Sequence, residues 1–176
     1  HRLLERNIRF DAWLGDFDSG AGVDEMALSK MGDIQRIWAE DQDKTDLEKG
    51  IEFLISKGHV AANIIWGTGR RADHTINNMA TLWRYHDQMT LSLLDDHSRV
   101  YPLNRQFKKW YPAGTAISLI PVGYASGINS SNLEYSLLNH RLELPHSTGS
   151  SNRVLEDGFV EITYAEGHLL MMECFD

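Results

Sequence analysis

The sequence predicts an α/β N-terminal domain, a parallel sheet with helices, followed by an all-β C-terminal sandwich. Two observations support this prediction. In residues 1–96, β-prone runs alternate with segments of helical periodicity, which is typical of a parallel sheet covered by helices. In residues 97–176, short β-prone runs are separated by turn residues and show no helical period, which is typical of a sandwich or a small barrel. The predicted domain boundary falls near Asp95–Ser98.

The best-defined element of the first half is a helix over Thr45–Lys57. Thr45 and Glu48 have the spacing of a capping box, and Gly58 is a typical C-terminal stop. Apolar residues recur inside it at helical spacing; they are Leu47, Ile51, Leu54 and Ile55. The other predicted elements of this half are the apolar run Phe10–Leu14, a helix near Asp24–Met31, the strands Ile34–Ala39, Val60–Trp66 and Met89–Leu94, and a helix from about His74 to His86.

The second half is predicted as a series of strands. Phe159–Tyr164 alternates apolar and polar side chains, as a half-exposed strand does, and Glu166-Gly167 is predicted as a tight turn into the last strand. The predicted strands are Arg99–Leu103, Phe107–Tyr111, Ala116–Val122, Leu133–Leu137, Arg141–Leu144, Phe159–Tyr164 and His168–Phe175.

Composition excludes several classes of partner. The chain has 176 residues and a formal net charge of −8, so we expect no long nucleic-acid footprint, because polyphosphate binding needs a concentrated positive face. No apolar run is long enough to cross a bilayer, so we expect no membrane partner. The one cysteine, Cys174, allows no intrachain disulfide, and a cytoplasmic location is the expectation.

Acidic clusters follow three successive predicted strands of the first half. Asp16 and Asp18 lie in GDFDSG, Asp46 lies in DQDKTD, and Asp73 ends GTGRRAD. Ligands of open α/β sheets bind at the carboxyl ends of the strands, and Mg²⁺ prefers a few carboxylates together with phosphate oxygens and water. One such cluster alone is more often a turn or a helix cap, but three at successive strand ends favour a magnesium–phosphate site.

Other motifs for GDFDSG fail on detail. An EF-hand loop counted from Asp16 needs an acid or Asn, a Gly and a Glu where the chain has Gly20, Ala21 and Ala27. A phosphatase of the haloacid-dehalogenase type also begins with two acids one residue apart, but it usually has Thr or Val in place of Gly20. The chain has neither a Walker motif nor metalloprotease spacing of its histidines.

The turn Gly67-Thr68-Gly69 is a weak phosphate signal by itself. The following Arg70-Arg71 and the start of a helix strengthen it, because free backbone N–H groups and guanidinium groups suit a polyphosphate. A tight turn with surface arginines is an equally good interpretation of this segment alone.

In order and spacing, these motifs resemble thiamine pyrophosphokinase over nearly the whole chain. The matching segments of the first half are GDFDS (15–19), DQDKTDLEKGIEFL (41–54), GTGRRADHTINNM (67–79) and DDHSRVYPL (95–103). Those of the second half are GTAISLIPVG (114–123), GINSSNLEYSLLN (127–139), STGSSN (147–152) and VEITYAEGHLLMM (160–172).

The resemblance implies transfer of pyrophosphate from ATP to the hydroxyl of thiamine, releasing AMP, by a homodimer whose active sites lie between subunits. It implies that Mg²⁺ and the triphosphate are held by Asp16, Asp18 and Asp46. It implies that further ATP contacts come from Gln42, Thr45, Thr68 and Arg71. It implies that thiamine is contacted by Asp73, Tyr135, Ser150, Ser151 and Asn152. Either Asp73 or Asp46 is a candidate for the general base.

The chain departs from the family pattern at three places. Arg70 replaces a glycine, and Glu134 and Ser136 lie in a segment that has a glycine and a proline in the family. The family also has a strand, a turn and most of a helix before GDFDS, so the resemblance implies that the first βα unit is missing here and that this chain begins inside the fold.

Two other functions agree with the same residues. One is a related magnesium-dependent diphosphotransferase or phosphatase that acts on another substrate. The other is a catalytically silent nucleotide-binding module, which would bind its ligands without turnover.

Overall fold

The computed structural model describes residues 2–15, 28–29, 31–39, 41–69 and 71–175. The chain divides into two compact units, His1–Gly58 and His59–Asp176. None of the helices in the described ranges is long and apolar enough to cross a membrane.

The first unit pairs two parallel strands. It contains the elements α1 (Arg2–Glu5), β1 (Ala12–Gly15), β2 (Gln35–Trp38) and α2 (Asp46–Ser56). Leu14 of β1 lies opposite Ile37 of β2, and α2 packs against β1. The prediction of strands in both places is confirmed. The predicted helix near Asp24–Met31 lies largely outside the described residues.

Helix α2 begins with the predicted capping box. The Thr45 hydroxyl accepts a hydrogen bond from the Glu48 backbone N–H, and the Glu48 carboxylate accepts one from the Thr45 N–H at 2.9 Å. The helix buries Ile51 and ends before Gly58, whose φ of +81° favours glycine. A local signal therefore determines this element.

The second unit is built on one nine-stranded sheet in the order β3-β4-β5-β11-β7-β10-β6, with β8 and β9 also paired to β7. β3 and β4 are parallel and joined through α3, and every other pair is antiparallel. The elements are β3 (Ala61–Ile65), α3 (Ala72–Arg84), β4 (Thr90–Leu94), β5 (Ser98–Pro102), β6 (Gln106–Tyr111), β7 (Ala116–Ser131), β8 (His140–Glu143), β9 (Gly149–Arg153), β10 (Gly158–Thr163) and β11 (Glu166–Cys174).

Strand β7 is much longer than predicted. The sequence predicts a strand over Ala116–Val122, but β7 continues to Ser131. Gly123 and Gly127 both have positive φ, and a Cβ at Gly127 would lie 2.8 Å from the Cβ of Ala165. Because the second half of β7 is rich in glycine and polar residues, it carries no apolar alternation that could predict a strand.

Other predictions for the second unit need correction. The predicted strand Leu133–Leu137 is wrong, because its one bridge joins Leu133 to Val154 and the rest is a bend followed by irregular backbone. The predicted turn at Glu166-Gly167 is also displaced, since both residues belong to β11. Val60–Trp66 is predicted as a strand and contains β3, whose alternate side chains are exposed.

A buried carboxylate joins three strands inside the second unit. Glu173 on β11 accepts hydrogen bonds from Tyr101 on β5 at 2.8 Å, from Lys109 on β6 at 2.6 Å, and from Tyr111. Burial raises the pKa of Glu173, but these hydrogen bonds outweigh burial and hold the pKa below its ordinary value of 4.5. The ionised form is therefore the one that the fold stabilises.

We expect Glu173→Gln to lower the free energy of unfolding by about 1–3 kcal/mol at neutral pH, because Lys109 loses its anionic partner inside the fold. The pKa of Glu173 is lowered, so its contribution is present above pH 4.5 and is lost as the pH falls through the folded-state pKa. Urea unfolding between pH 3 and 7 measures both effects. Glu161→Gln, which breaks the exposed Lys108–Glu161 pair, is the control; an equal loss in the two variants would contradict the prediction.

Candidate active site

The glycine turn after β3 is held by three side chains. The Asn78 amide donates to the Gly67 carbonyl at 2.7 Å, and the Thr68 hydroxyl donates to Asp95 at 2.9 Å. The Gly69 N–H donates to the Thr75 hydroxyl at 3.4 Å. A Cβ at Gly67 would lie 2.9 Å from a methyl of Leu93, so glycine permits the close approach of the turn to β4.

Arg71 and Asp73 form a bidentate pair at the start of α3. The Arg71 Nε donates to one carboxylate oxygen at 3.1 Å and Nη2 donates to the other at 2.5 Å. The hydrogen bond from Arg71 is the largest cause of the low pKa of Asp73, which is about 2. Asp73 is therefore ionised at neutral pH and accepts a proton poorly while the pair is intact.

The turn and the first part of α3 line an open hollow of ≈ 250 Å³. Thr68 and Arg71, both predicted as ATP contacts, lie along this hollow together with His74 and Asn78. The arginine side chain is exposed, so its guanidinium is free to turn toward an anion in the hollow. Backbone N–H groups, an arginine and hydroxyl groups are the donors that suit a phosphate chain.

Asp95 is a residue that the strand-end argument could have found. It follows β4, just as the predicted acids follow earlier strands. Besides holding Thr68, its carboxylate accepts hydrogen bonds from the backbone of His97 and Ser98. Burial raises the pKa of Asp95, but these hydrogen bonds lower it overall. No signal in the sequence distinguishes Asn78, which reaches back from the second turn of α3.

In the first unit, the predicted residues surround the start of α2. The Thr45 side chain is engaged in the capping box, Gln42 is exposed, and Asp46 is 74% exposed in the first turn. The sequence did not single out Lys49, which is 9% exposed and donates to the Ala39 carbonyl just after β2 at 3.0 Å. Its ammonium group lies 3.9 Å from an Asp46 oxygen.

Asp46 is the predicted metal ligand that lies within the described residues. Asp16 and Asp18, like the departure Arg70, lie outside the described residues. Within the described ranges, no three acidic, histidine or cysteine side chains gather into a metal site. Asp46 offers an exposed carboxylate, a hard oxygen donor of the kind that Mg²⁺ prefers.

Two of the predicted thiamine residues of the second unit, Asn152 and Tyr135, are joined by hydrogen bonds. The Asn152 side chain is 4% exposed, and its carboxamide accepts a hydrogen bond from the Tyr135 N–H at 3.0 Å while donating to the Tyr135 carbonyl at 2.8 Å. Tyr135 itself is 64% exposed. Asn152 thus fixes the backbone that carries the aromatic ring of Tyr135. Both the carbonyl oxygen and the NH₂ group of its carboxamide are used in these hydrogen bonds.

The two serines before Asn152 are exposed, whereas Asn152 is buried. Ser150 is exposed and its hydroxyl lies 3.1 Å from the Thr148 hydroxyl. Ser151 has a φ of +58°, and its N–H donates to the Ser118 hydroxyl on β7 at 3.0 Å. Both serines lie in strand β9, with Ser151 in the left-handed region.

Two family models match the chain. One, described as "Thiamin pyrophosphokinase, catalytic domain", matches residues 1–93, and the other, described as "Thiamin pyrophosphokinase, vitamin B1 binding domain", matches residues 103–169. A curated thiamine pyrophosphokinase of Bacillus subtilis is 24% identical over 185 aligned residues, which cover 99% of this chain and 83% of that protein. A thiamine pyrophosphokinase 3 of Oryza sativa is 24% identical over 95% of this chain and 67% of its own length.

Solved structures agree with these matches. The thiamin pyrophosphokinase of Geobacillus thermodenitrificans superposes with a TM-score of 0.81 and 25% identity, covering 99% of this chain and 82% of its own. The Bacillus subtilis structure has a TM-score of 0.82 and 21% identity over 99% of this chain and 83% of its own. The Candida albicans structure has a TM-score of 0.82 at 15% identity over 97% and 74%, so these two likenesses show a shared fold.

We expect the pKa of Asp73 to be about 2 in the intact chain and to rise toward its ordinary value of 3.8 in Arg71→Gln, because the guanidinium stabilises the ionised carboxyl. A carbon-detected NMR titration of the Asp73 carboxyl between pH 1.5 and 6 measures this shift. Arg84→Gln removes a charge from the exposed last turn of the same helix and is the matched control. An Asp73 pKa that is the same in all three proteins would contradict the pairing.

Proposed function

The chain belongs to the thiamin pyrophosphokinase family, and we propose that it transfers pyrophosphate from ATP to the hydroxyl oxygen of thiamine. In this reaction the thiamine oxygen bonds to the β-phosphorus, the bond between that phosphorus and the α-phosphate oxygen breaks, and AMP leaves. Thiamine diphosphate is the product. The reaction needs positioning and charge neutralisation more than covalent participation of the protein.

The Arg71–Asp73 pair beside the glycine turn is the observation that carries this proposal. The guanidinium is exposed, lines the hollow and presents a fork that matches phosphate oxygens. Thr68 and the backbone of the turn line the same hollow, where the Thr68 hydroxyl and the Gly69 N–H are hydrogen-bonded to Asp95 and Thr75. We propose that Arg71 and Thr68 bind the ATP phosphates, and that Gln42 and Thr45 contribute from the first unit.

We propose Mg²⁺ as the cofactor, held by Asp16, Asp18 and Asp46. When bound, Mg²⁺ neutralises the charge of the triphosphate. The exposure of Asp46 and its oxygen donors support this assignment. Lys49 adds a positive charge 3.9 Å from an Asp46 oxygen.

The proton of the thiamine hydroxyl passes to Asp73 or to Asp46. Asp73 accepts a proton poorly while it is paired with Arg71, because the pair lowers its pKa to about 2. A phosphate that drew Arg71 away would remove the cause of the low pKa and restore the basicity of Asp73. ATP binding and activation of the hydroxyl would thereby be coupled through one arginine.

On the thiamine side, we propose that Tyr135 stacks on the cationic rings, as exposed aromatic side chains do with flat cations. Ser150 and Ser151 contribute hydroxyl groups near the same segment. Asn152, predicted as a direct contact, is better placed as a positioning residue, since its carboxamide is occupied by Tyr135.

We further propose two domains, a nucleotide-binding α/β domain over residues 1–96 and a thiamine-binding β-sandwich over residues 97–176. The family matches that end at residue 93 and begin at residue 103 support this boundary. The family resemblance also supports a cytoplasmic homodimer.

We expect thiamine-dependent release of AMP from ATP and Mg²⁺, and a loss of roughly 100-fold or more in Asp18→Ala, because a charge-stabilising group is removed from the phosphates. Chromatographic measurement of AMP with and without thiamine tests both expectations. Asp33→Ala, an exposed acid of the same unit, is the control and should retain activity. AMP release that does not depend on thiamine would rule out this reaction. The absence of AMP release from a chain shown to be folded by cooperative thermal unfolding would also rule it out.

For Asn152→Ala we expect the KM for thiamine to rise about tenfold or more with little change in the KM for ATP, because Tyr135 loses its backbone support. Tyr135→Ala should raise the same constant, and the double variant should be no worse than the worse single variant. Asn129→Ala, which removes a similar amide clamp near the end of β7, is the control. Strictly additive losses would mean that Asn152 does not act through Tyr135.

A further inference from the structure

A second hollow lies in the second unit, away from the glycine turn. It has a volume of ≈ 280 Å³ and is lined along β4 and β5, including Thr90 and Pro102. β3 and β4 are parallel, so the glycine turn that follows β3 lies at the Leu94 end of β4, opposite the Thr90 end. The two hollows share no lining residue.

The hollow contains an arginine whose hydrogen-bonding capacity is largely unused. Arg99 donates through Nη2 to the Ser92 hydroxyl at 3.1 Å, and its guanidinium lies 5.3 Å from the ring centroid of Tyr101. Its Nε is shielded from water and has no hydrogen-bond partner among the described residues. A shielded N–H without an acceptor is rare in folded proteins, so Nε is the donor of Arg99 that lacks an acceptor.

The charges around Arg99 favour an anion. No carboxylate lines the hollow, and Arg99 forms no ion pair within the part of the chain that the structure describes. Glu173 on β11 lies opposite Arg99 on β5, but its carboxylate is already paired with Lys109 and accepts a hydrogen bond from Tyr101. His86 and Asn104 add further polar groups to the lining, while Tyr101 and Phe107 supply flat apolar walls.

We infer that this hollow binds a small organic anion, with an oxyanion head group on Arg99 and a flat apolar body against Tyr101 and Phe107. The head group is a carboxylate or a phosphate, both of which match the planar guanidinium fork. Binding requires a rotation of the Arg99 side chain, because Nε is shielded when the hollow is empty, and the bidentate contact gives Nε the acceptor that it lacks. The inference does not depend on the proposed pyrophosphoryl transfer.

The test is an NMR titration of the isotopically labelled chain carrying Arg71→Met, so that phosphate binding at the glycine turn does not contribute. Phenyl phosphate, benzoate and uncharged benzyl alcohol are the probes. We expect saturable shifts at Ser92, Tyr101 and Phe107 with one or both anions and none with the alcohol. The tighter anion identifies the preferred head group.

Arg99→Met, which keeps an apolar stem, should weaken anion binding about tenfold or more. Arg99→Lys keeps the charge without the planar fork, so its affinity for the anion should fall between those of the unchanged chain and Arg99→Met. This variant also keeps the test decisive if Arg99→Met does not fold. Arg84→Met removes an exposed charge from α3 and should bind normally. Equal binding by all variants, or anion-induced shifts that avoid the hollow, would overturn the inference.

Discussion

The hydrogen-bonding of β7 is the constraint on which the second unit depends. Different stretches of this strand pair with β11, β8, β9 and β10, so four other strands are registered against it. The Ser118 hydroxyl on β7 also accepts a hydrogen bond from the Ser151 N–H of β9, and the Ser130 hydroxyl accepts one from the Leu137 N–H, two residues after Tyr135. Pairing of β9 with β7 thus positions Ser150, Ser151 and Asn152, whereas Tyr135 is positioned by side-chain hydrogen bonds from Asn152.

The elements that sequence alone predicts well are those with local determinants. Helix α2 needs only Thr45, Glu48 and an apolar stripe, all within a few turns. The second half of β7 has no such signal, because its pairing partners lie far along the chain and its polar residues show no alternation. At Leu133–Leu137 the sequence predicts a strand that the structure does not form. The composition of this segment suits a strand, but Asn152 holds it by side-chain hydrogen bonds at Tyr135.

The residues of the candidate site likewise differ in whether their roles depend on local or on distant parts of the chain. Arg71 and Asp73 are two residues apart, so their pairing follows from the start of a helix, although the depth of the pKa shift needs the bidentate geometry. Asn152 and Tyr135 are 17 residues apart, and sequence could assign them to one ligand but could not show which one supports the other. Arg99 lies in DDHSRVYPL, but nothing in that segment distinguishes it; its significance appears only when the sheet brings Ser92 and Tyr101 beside it.

The position of β11 has a kinetic consequence. This strand lies between β5 and β7, and it links Tyr101 to Glu173 across 72 residues of chain. During synthesis β5 and β7 emerge long before the strand that separates them, so each presents an open backbone edge in the meantime. Such non-local closure makes folding slow and leaves the partly made sheet prone to pairing with the wrong strand. The arrival of β11 after β5 and β7 decides when the interior of the second unit closes to water.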